Sequence, residues 1–399
     1  MRAKWPLKFM VGVQPCIFVT LFYFVLVVLY GRITTIPEIH YYKKAESYVD
    51  KPFSREPKSI LLWNAFFESR NWHLPGSLVN ETFFKGLNCP ATNCFITSEV
   101  NTLSEITEYD AILFHVAEAF PILNPFPSKR AQNQIYVFAA MESPAHTKHD
   151  LSDEISFYNY TMTYRLDSDI LWTYGHLQDI ETGQLVAPTS YPAWRKIPEL
   201  LELDTSLDIA LAKKNKTAAW FVSHCDVISK RDDLARSLQQ YIPVDIYGKC
   251  GTFTCPRNSH ECDEKLDDEY KFYLSFENSL CTDYVTEKFF KILDRNIVPV
   301  VYGGAEYTKF APPHSYINAE DFKTVKDLAD YLKFLDGNLE EYRKYFWWKK
   351  FYKRTKISPF CQLCLKLNNP SEREKVQYYN DIQEWWYGHA CRMNPNVEF

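Results

Sequence analysis

The sequence predicts an α/β protein built as two halves, each a mostly parallel sheet with helices on both faces. Three observations carry this expectation. Short apolar runs alternate with helical or turn-rich polar stretches, the pattern restarts near residue 218, and Pro188, Pro192 and Pro198 cluster between the two series. A chain of 399 residues is too long for one ordinary core, because domains usually run ~100–200 residues. With 46% hydrophobic and 24% charged residues, disorder throughout is excluded. Lys plus Arg total 45 and Asp plus Glu 50, a net charge of −5 that argues against a dedicated nucleic-acid binder. Two facing halves of this kind leave a ligand cleft outside the carboxyl ends of their strands.

Residues 1–10 read as a short cytoplasmic tail. Val11 to Tyr30 carries no charge and is long enough to cross a ~30 Å hydrocarbon core. A cleaved signal peptide is the competing reading, but its apolar region usually runs ~7–15 residues and ends at a small-residue site. This run is longer and ends Leu-Tyr-Gly-Arg, so 11–30 is expected to be an uncleaved signal-anchor. Arg2, Lys4 and Lys8 precede it, and Arg32, Lys43 and Lys44 follow, so charge alone sets no orientation. The body does. Beyond the span lie Cys89, Cys94, Cys225, Cys250, Cys255, Cys262, Cys281, Cys361, Cys364 and Cys391, an even number that fits disulfides in an oxidising compartment. Sequons begin at Asn80, Asn159 and Asn215. The expected topology is therefore type II with a lumenal body, and residues 31–57, holding Pro37, Pro52 and Pro57, read as a stem.

Residues 58–190 form the expected first domain, with strands at Ser59–Trp63, Asp110–His115 and Ile135–Phe138. The second, 191–360, has strands at Ala218–Ser223, Val244–Gly248, Lys271–Phe276 and Asn296–Val301. Helices are expected at Lys230–Tyr241 and Thr282–Leu293. Residues 361–399 make a C-terminal segment. The stretch Tyr270–Gly304 carries most of the chemistry. A strand ending at Phe276 puts Glu277 and Asn278 at the sheet's carboxyl edge, and Thr282 or Asp283 caps the helix that follows. A helix start suits phosphate, Lys288 adds positive charge, and Glu277 or Glu287 can accept from hydroxyls. The same spacing also fits a β-α-β unit with a solvated helix start.

Phe276-Glu277-Asn278-Ser279, Asp283-Tyr284-Val285-Thr286-Glu287-Lys288 and Val298-Pro299-Val300-Val301 together resemble the donor signature of the α1,3-fucosyltransferase family. Met141-Glu142-Ser143-Pro144-Ala145-His146-Thr147, Tyr164-Arg165-Leu166-Asp167-Ser168-Asp169-Ile170 and Trp220-Phe221-Val222-Ser223 with Arg231 are similar to further blocks, in order. The resemblance spans roughly residues 58–391. It implies a GT-B-like fold of two Rossmann-like domains, GDP-fucose as donor, an N-glycan acceptor and a Golgi membrane setting. It implies inversion at the anomeric carbon, with no tightly bound cofactor and a divalent cation at most stimulatory. By the same resemblance Glu142 matches the catalytic base, and Arg231 and Lys288 match residues holding the donor diphosphate. Tyr174, Ser223, Tyr273, Glu277, Asn278, Tyr284 and Glu287 match positions lining the donor pocket, and Arg165 a donor-cleft support. The family ties its C-terminal C-x-x-C, here Cys361 and Cys364, to cysteines of the N-terminal half such as Cys89 and Cys94. Two departures stand out. His224 occupies the family's usual Asn position, and His115-Val116 replaces a frequent His-Arg pair.

Other signals compete. Asp167-Ser168-Asp169 has the form of a D-x-D metal motif, and Cys250, Cys255, His260 and Cys262 can be read as zinc ligands; both yield to the family and disulfide readings. The aromatic runs Tyr345–Trp348 and Trp385–Tyr387 are expected in packing, and Lys349–Lys356 on a solvated helix face. Val244–Arg257 with Cys281 resembles the invertebrate branch that fucosylates the chitobiose core. Antennal fucosylation is the second reading, and a membrane-anchored glycan binder without catalysis the third.

Overall fold

The computed structural model describes residues 56–116, 126–147, 149–199, 204–256, 259–373 and 377–398, all within the unit Phe53–Phe399. The expected tail, span and nearly all of the stem lie outside the described residues. Among the described residues no helix is long and apolar enough to cross a membrane.

Seven strands form the first sheet: β1 (Lys58–Leu62), β2 (Leu78–Val79), β3 (Cys94–Thr97), β4 (Ala111–His115), β5 (Ile135–Ala140), β6 (Tyr160–Thr163) and β7 (Ile170–Leu171). Their order is β2-β3-β1-β4-β5-β6-β7, parallel except for β2. Every residue of β1, β4 and β5 is buried, as continuous apolar runs require when both faces of a parallel sheet are covered. Each face is covered in part by local residues, such as Phe84 on one and Tyr158 on the other, and in part by helices from far along the chain. Phe360, Leu363 and Leu367 of the helix Pro359–Asn368 pack one face with Ile60, Leu62 and Val137. Ile382 and Trp386 of the helix Ile382–Tyr387 pack the other with Phe114 and Phe138. Disulfides Cys89–Cys361 and Cys94–Cys364 fasten the first of these helices to the sheet.

A three-stranded antiparallel sheet follows, of β8 (His176–Asp179), β9 (Leu185–Ala187) and the distant β16 (Tyr352–Thr355). The second parallel sheet has the order β11-β10-β12-β14-β15, from β10 (Lys216–Phe221), β11 (Val244–Tyr247), β12 (Tyr270–Phe276), β14 (Val298–Tyr302) and β15 (Ile317–Asn318). Side chains along the middle of β12 alternate between its faces, as a period of two demands: Phe272, Leu274 and Phe276 join one core and Tyr273 another. The helices Arg231–Gln239 and Val325–Gly337 cover the first of these faces. A short pair, β13 (Leu280–Cys281) with β17 (Cys391–Arg392), is bridged by Cys281–Cys391. Past it the chain re-enters the second lobe, where Val397 joins the core.

Three expectations need correction. The helix expected from Thr282 is Glu287–Leu293, with Thr286 as its N-cap. Residues 282–285 form a turn instead, because Thr282 N donates to Ala390 O at 2.7 Å and Asp283 takes a left-handed φ of 59°. Lys349–Lys356 is not a solvated helix face. It closes a 3-10 helix and enters β16, and Lys349 Nζ donates to Arg295 O. Asn159 is only 4% exposed. Its amide oxygen accepts from Tyr136 N at 2.8 Å, and its amide nitrogen donates to Gln377 O at 2.9 Å, which leaves no room for a glycan. Asn80 and Asn215 are exposed.

Candidate active site

Strand β5 delivers Met141 and Glu142 to the carboxyl edge of the first sheet. Glu142 is half-buried there. Tyr284, from the second lobe and only 1% exposed, donates its hydroxyl to Glu142 Oε2 at 2.9 Å. Tyr174 donates to Met141 O at 2.9 Å, and the rings of Tyr164 and Tyr174 stand edge-on to Tyr284 at 5.0 and 6.5 Å. Burial raises all three phenols well above their ordinary pKa, reinforced for each by the Glu142 charge, so they remain protonated. Two more polar contacts cross between the lobes nearby. Ser279 Oγ donates to Ser143 Oγ at 2.7 Å, and Leu166 N to Asp283 Oδ2 at 3.1 Å.

The second lobe supplies the cations. Thr286 caps the helix Glu287–Leu293, and its backbone N and hydroxyl both donate to Glu277, at 2.8 and 2.9 Å. Glu277 is 0% exposed, and Lys288 Nζ lies 3.2 Å from it. Burial pushes the Glu277 carboxyl up, against the pull of Lys288. Burial works against the Lys288 charge too, but Glu277 and Glu287 outweigh it and hold its pKa above the ordinary value. Desolvation would raise the Glu287 pKa, but Lys288, its own backbone N–H and Lys291 together hold it below its usual range. Thr286 N is thus already satisfied within the protein.

Arg231 begins the helix Arg231–Gln239 and is 3% exposed. It donates to Phe276 O at 2.9 Å and to His224 O at 2.8 Å, bracing the ends of β12 and β10. Desolvation lowers its pKa, opposed by Glu277 and Asp232. Ser223 and His224 stay exposed on the loop it braces. Gly248 permits that loop's approach: its φ is +100°, and a Cβ there would meet Val222 O at 2.3 Å. Cys225–Cys250 closes the same loop.

His146 shows that these groups share one neighbourhood. Its ring centroid is 6.3 Å from that of His224. Burial depresses its pKa; Glu142 opposes this, while His224, Arg231 and Lys288 reinforce it. Glu142 and the 231/288 cations therefore act on a common group across the lobe junction. Sequence reasoning gave His146 and Thr286 no role of their own. The signal for Thr286 was a capping residue directly before Glu287-Lys288. Arg165 is committed elsewhere: it binds Asp167 at 2.9 and 2.6 Å and stacks 4.2 Å over Trp385. Tyr273 is buried in the core below β12. Asn278 Oδ1 lies 3.2 Å from Ser279 Oγ and competes with Ser143 for its proton.

The two metal readings meet competing chemistry. Asp169 accepts from Thr161 N, Tyr379 Oη and Gln377 Nε2, each at 2.9 Å, while Asp167 pairs with Arg165. Cys255–Cys262 and Cys225–Cys250 are disulfides, so their sulfurs are not thiolate ligands.

Two family models match the chain: glycosyltransferase family 10 (fucosyltransferase) C-term over residues 211–385, and fucosyltransferase, N-terminal, over 55–175. Alpha-(1,3)-fucosyltransferase C of Drosophila melanogaster is 46% identical over 94% of this chain and 88% of its own. This chain is a family 10 glycosyltransferase. Glycoprotein 3-alpha-L-fucosyltransferase A of the same fly is 36% identical over 86% of this chain, which spans 63% of that longer protein. The human 4-galactosyl-N-acetylglucosaminide 3-alpha-L-fucosyltransferase FUT5 is 34% identical over 74% of this chain and 73% of its own. A crystal structure of an alpha1,3-fucosyltransferase with GDP aligns over 85% of this chain and 98% of that one, at 18% identity and a TM-score of 0.48. The expected enzyme class, GDP-fucose-dependent α1,3-fucosyl transfer, stands.

Proposed function

We propose that this family 10 enzyme transfers L-fucose from GDP-fucose to the 3-hydroxyl of an N-acetylglucosamine in N-glycans, the chitobiose core being the acceptor. The reading is supported by the half-buried carboxylate of Glu142, held by the Tyr284 hydroxyl of the second lobe, and by the charges of Glu142, Lys288 and Arg231 all acting on His146 at the lobe junction. GDP is already a good leaving group, so leaving-group protonation of the kind used on glycosides is not needed. What the reaction needs is positive charge near the departing diphosphate, which Lys288 and Arg231 supply. Glu142 takes the proton of the attacking hydroxyl, a step worth typically ~10²–10⁴-fold. A single displacement inverts the anomeric carbon. Glu277, Glu287 and Thr286 fix Lys288; Ser223, Asn278 and Tyr174 line the approach. No step requires a metal ion.

The core acceptor rests on the sequence likeness of Val244–Arg257 and Cys281 to the invertebrate branch, and on similarity to a relative named a glycoprotein 3-alpha-L-fucosyltransferase. Antennal N-acetyllactosamine is the competing acceptor, supported by the similarity to FUT5. The full-length protein incubated with GDP-fucose and a glycan panel, with product linkage read by mass spectrometry and NMR, decides between them. Fucose appearing only on antennae would overturn the core reading, and GDP binding without acceptor-dependent GDP release would make the protein a binder. Glu142→Gln is expected to lose transfer while still binding GDP; near-full turnover would refute the base assignment. Arg231→Ala is expected to raise the donor KM and lower kcat; unchanged values for both would contradict its role. We further propose a GT-B-like division at 58–190, 191–360 and 361–399 and a type II Golgi setting. Protease protection of the body in sealed microsomes tests that setting.

A further inference from the structure

Glu142 does not stand alone on its own lobe. The hydroxyl that holds it comes from the other lobe, from a residue with no open surface for a ligand: Tyr284 is only 1% exposed. Its ring lies against Tyr164 and Tyr174 of the first lobe and belongs to that lobe's core with Tyr136 and Trp386. Its backbone sits in the turn fixed by Cys281–Cys391 and by Thr282 N to Ala390 O. Ser279 to Ser143 and Leu166 to Asp283 clamp the same turn to the first lobe on either side. Such a hydroxyl has two χ angles, both fixed by packing, so it presents its proton to Oε2 without further ordering.

From this we infer that Tyr284 is a positioning residue for the base: it orients the Glu142 carboxylate toward the acceptor hydroxyl, and the carboxylate is correctly aimed only while the two lobes are docked through the 279–284 turn. The inference rests on the reading of Glu142 as base and deepens it. It assigns to Tyr284 a task different from the donor-pocket lining that the family pattern implies.

The test uses Tyr284→Phe in the full-length protein, which keeps the ring and its packing. Expected are a kcat lowered by about 10–100-fold, with the donor KM and the GDP dissociation constant within about two-fold of wild type. Tyr174→Phe, which removes only the bond to Met141 O, is expected to lower kcat less. An unchanged kcat in Tyr284→Phe overturns the inference, as does a weakened GDP affinity with kcat intact, which would mark a donor contact. Glu142→Gln, measured alongside, separates the two claims. If it is active, the base reading itself fails. If it is inactive while Tyr284→Phe is normal, only the positioning role fails.

Discussion

Replacing Lys288 by Met removes the cation beside a carboxylate with no access to water. Glu277 is 0% exposed and its partners are Thr286 N at 2.8 Å, Thr286 Oγ1 at 2.9 Å and Lys288 Nζ at 3.2 Å. Breaking a buried ion pair by deleting one partner costs ~3–5 kcal/mol, and the two Thr286 donors that remain place this case near ~3. With ~2.1 cal/mol/K of unfolding entropy per residue over residues 56–398, that amounts to about 4 °C in Tm. The pH dependence has a definite sign. Burial holds the Glu277 pKa above that of an unfolded carboxylate, and losing Lys288 raises it further. A raised carboxyl favours the fold below the unfolded pKa and loses that contribution as pH rises through the folded pKa. The variant's deficit is therefore largest at neutral pH and shrinks toward pH 5. Glu277→Gln combined with Lys288→Met is expected to recover most of the stability but none of the GDP affinity, since the diphosphate still lacks its cation. Scanning calorimetry from pH 5 to 8 with GDP titration calorimetry reads both effects. An unchanged Tm in Lys288→Met, or a double variant no more stable than the single, would refute this account of the pair.

Removing Cys89 and Cys361 together should cost about 3 kcal/mol or less, because Cys94–Cys364 still closes almost the same chain loop; removing all four should cost ~5 kcal/mol or more, checked by urea midpoints. His115 and His176 are buried and neutral, their pKa values depressed by desolvation to about 3 and about 4. The unfolded chain takes up these protons first, so stability falls as pH drops below the unfolded value near ~6.5, by about 1.4 kcal/mol per pH unit for each; a flat melting curve between pH 6.5 and 5 contradicts this. Glycosidase treatment of the secretory-pathway protein should release glycans from Asn80 and Asn215, and a released chain at Asn159 would falsify its buried placement. Transfer should persist in excess EDTA, and full loss of turnover there would show that the cations of the cleft do not suffice.

Strands β1, β4, β10 and β12 were legible because a two-faced parallel sheet writes itself as a largely apolar run, and the family because its blocks lie in order along the chain. The start of the helix at Glu287 was not. Val285, Phe289 and Ile292 keep helical spacing through the turn, while what breaks the helix is a bond to Ala390, over a hundred residues away. The contact from Tyr284 to Glu142 joins positions 142 apart and leaves no trace in local pattern. Asn159 illustrates the converse: a three-residue acceptor motif says nothing about whether its amide is exposed. The resemblance offered Cys89 and Cys94 as partners for Cys361 and Cys364; which joins which depends on the helix Pro359–Asn368 lying across β1 and β3, a matter of tertiary geometry.

Part of the cover on both faces of the first sheet comes from the last fifth of the chain. A nascent polypeptide that has emerged as far as β7 therefore holds a sheet only partly covered on either side, and it stays so until Phe360 and Trp386 have left the ribosome. The first lobe, though synthesised first, is completed last. In the interval its exposed strands are natural clients for chaperones, and its bridges to Cys361 and Cys364 can be formed by oxidising enzymes only once translation is nearly over.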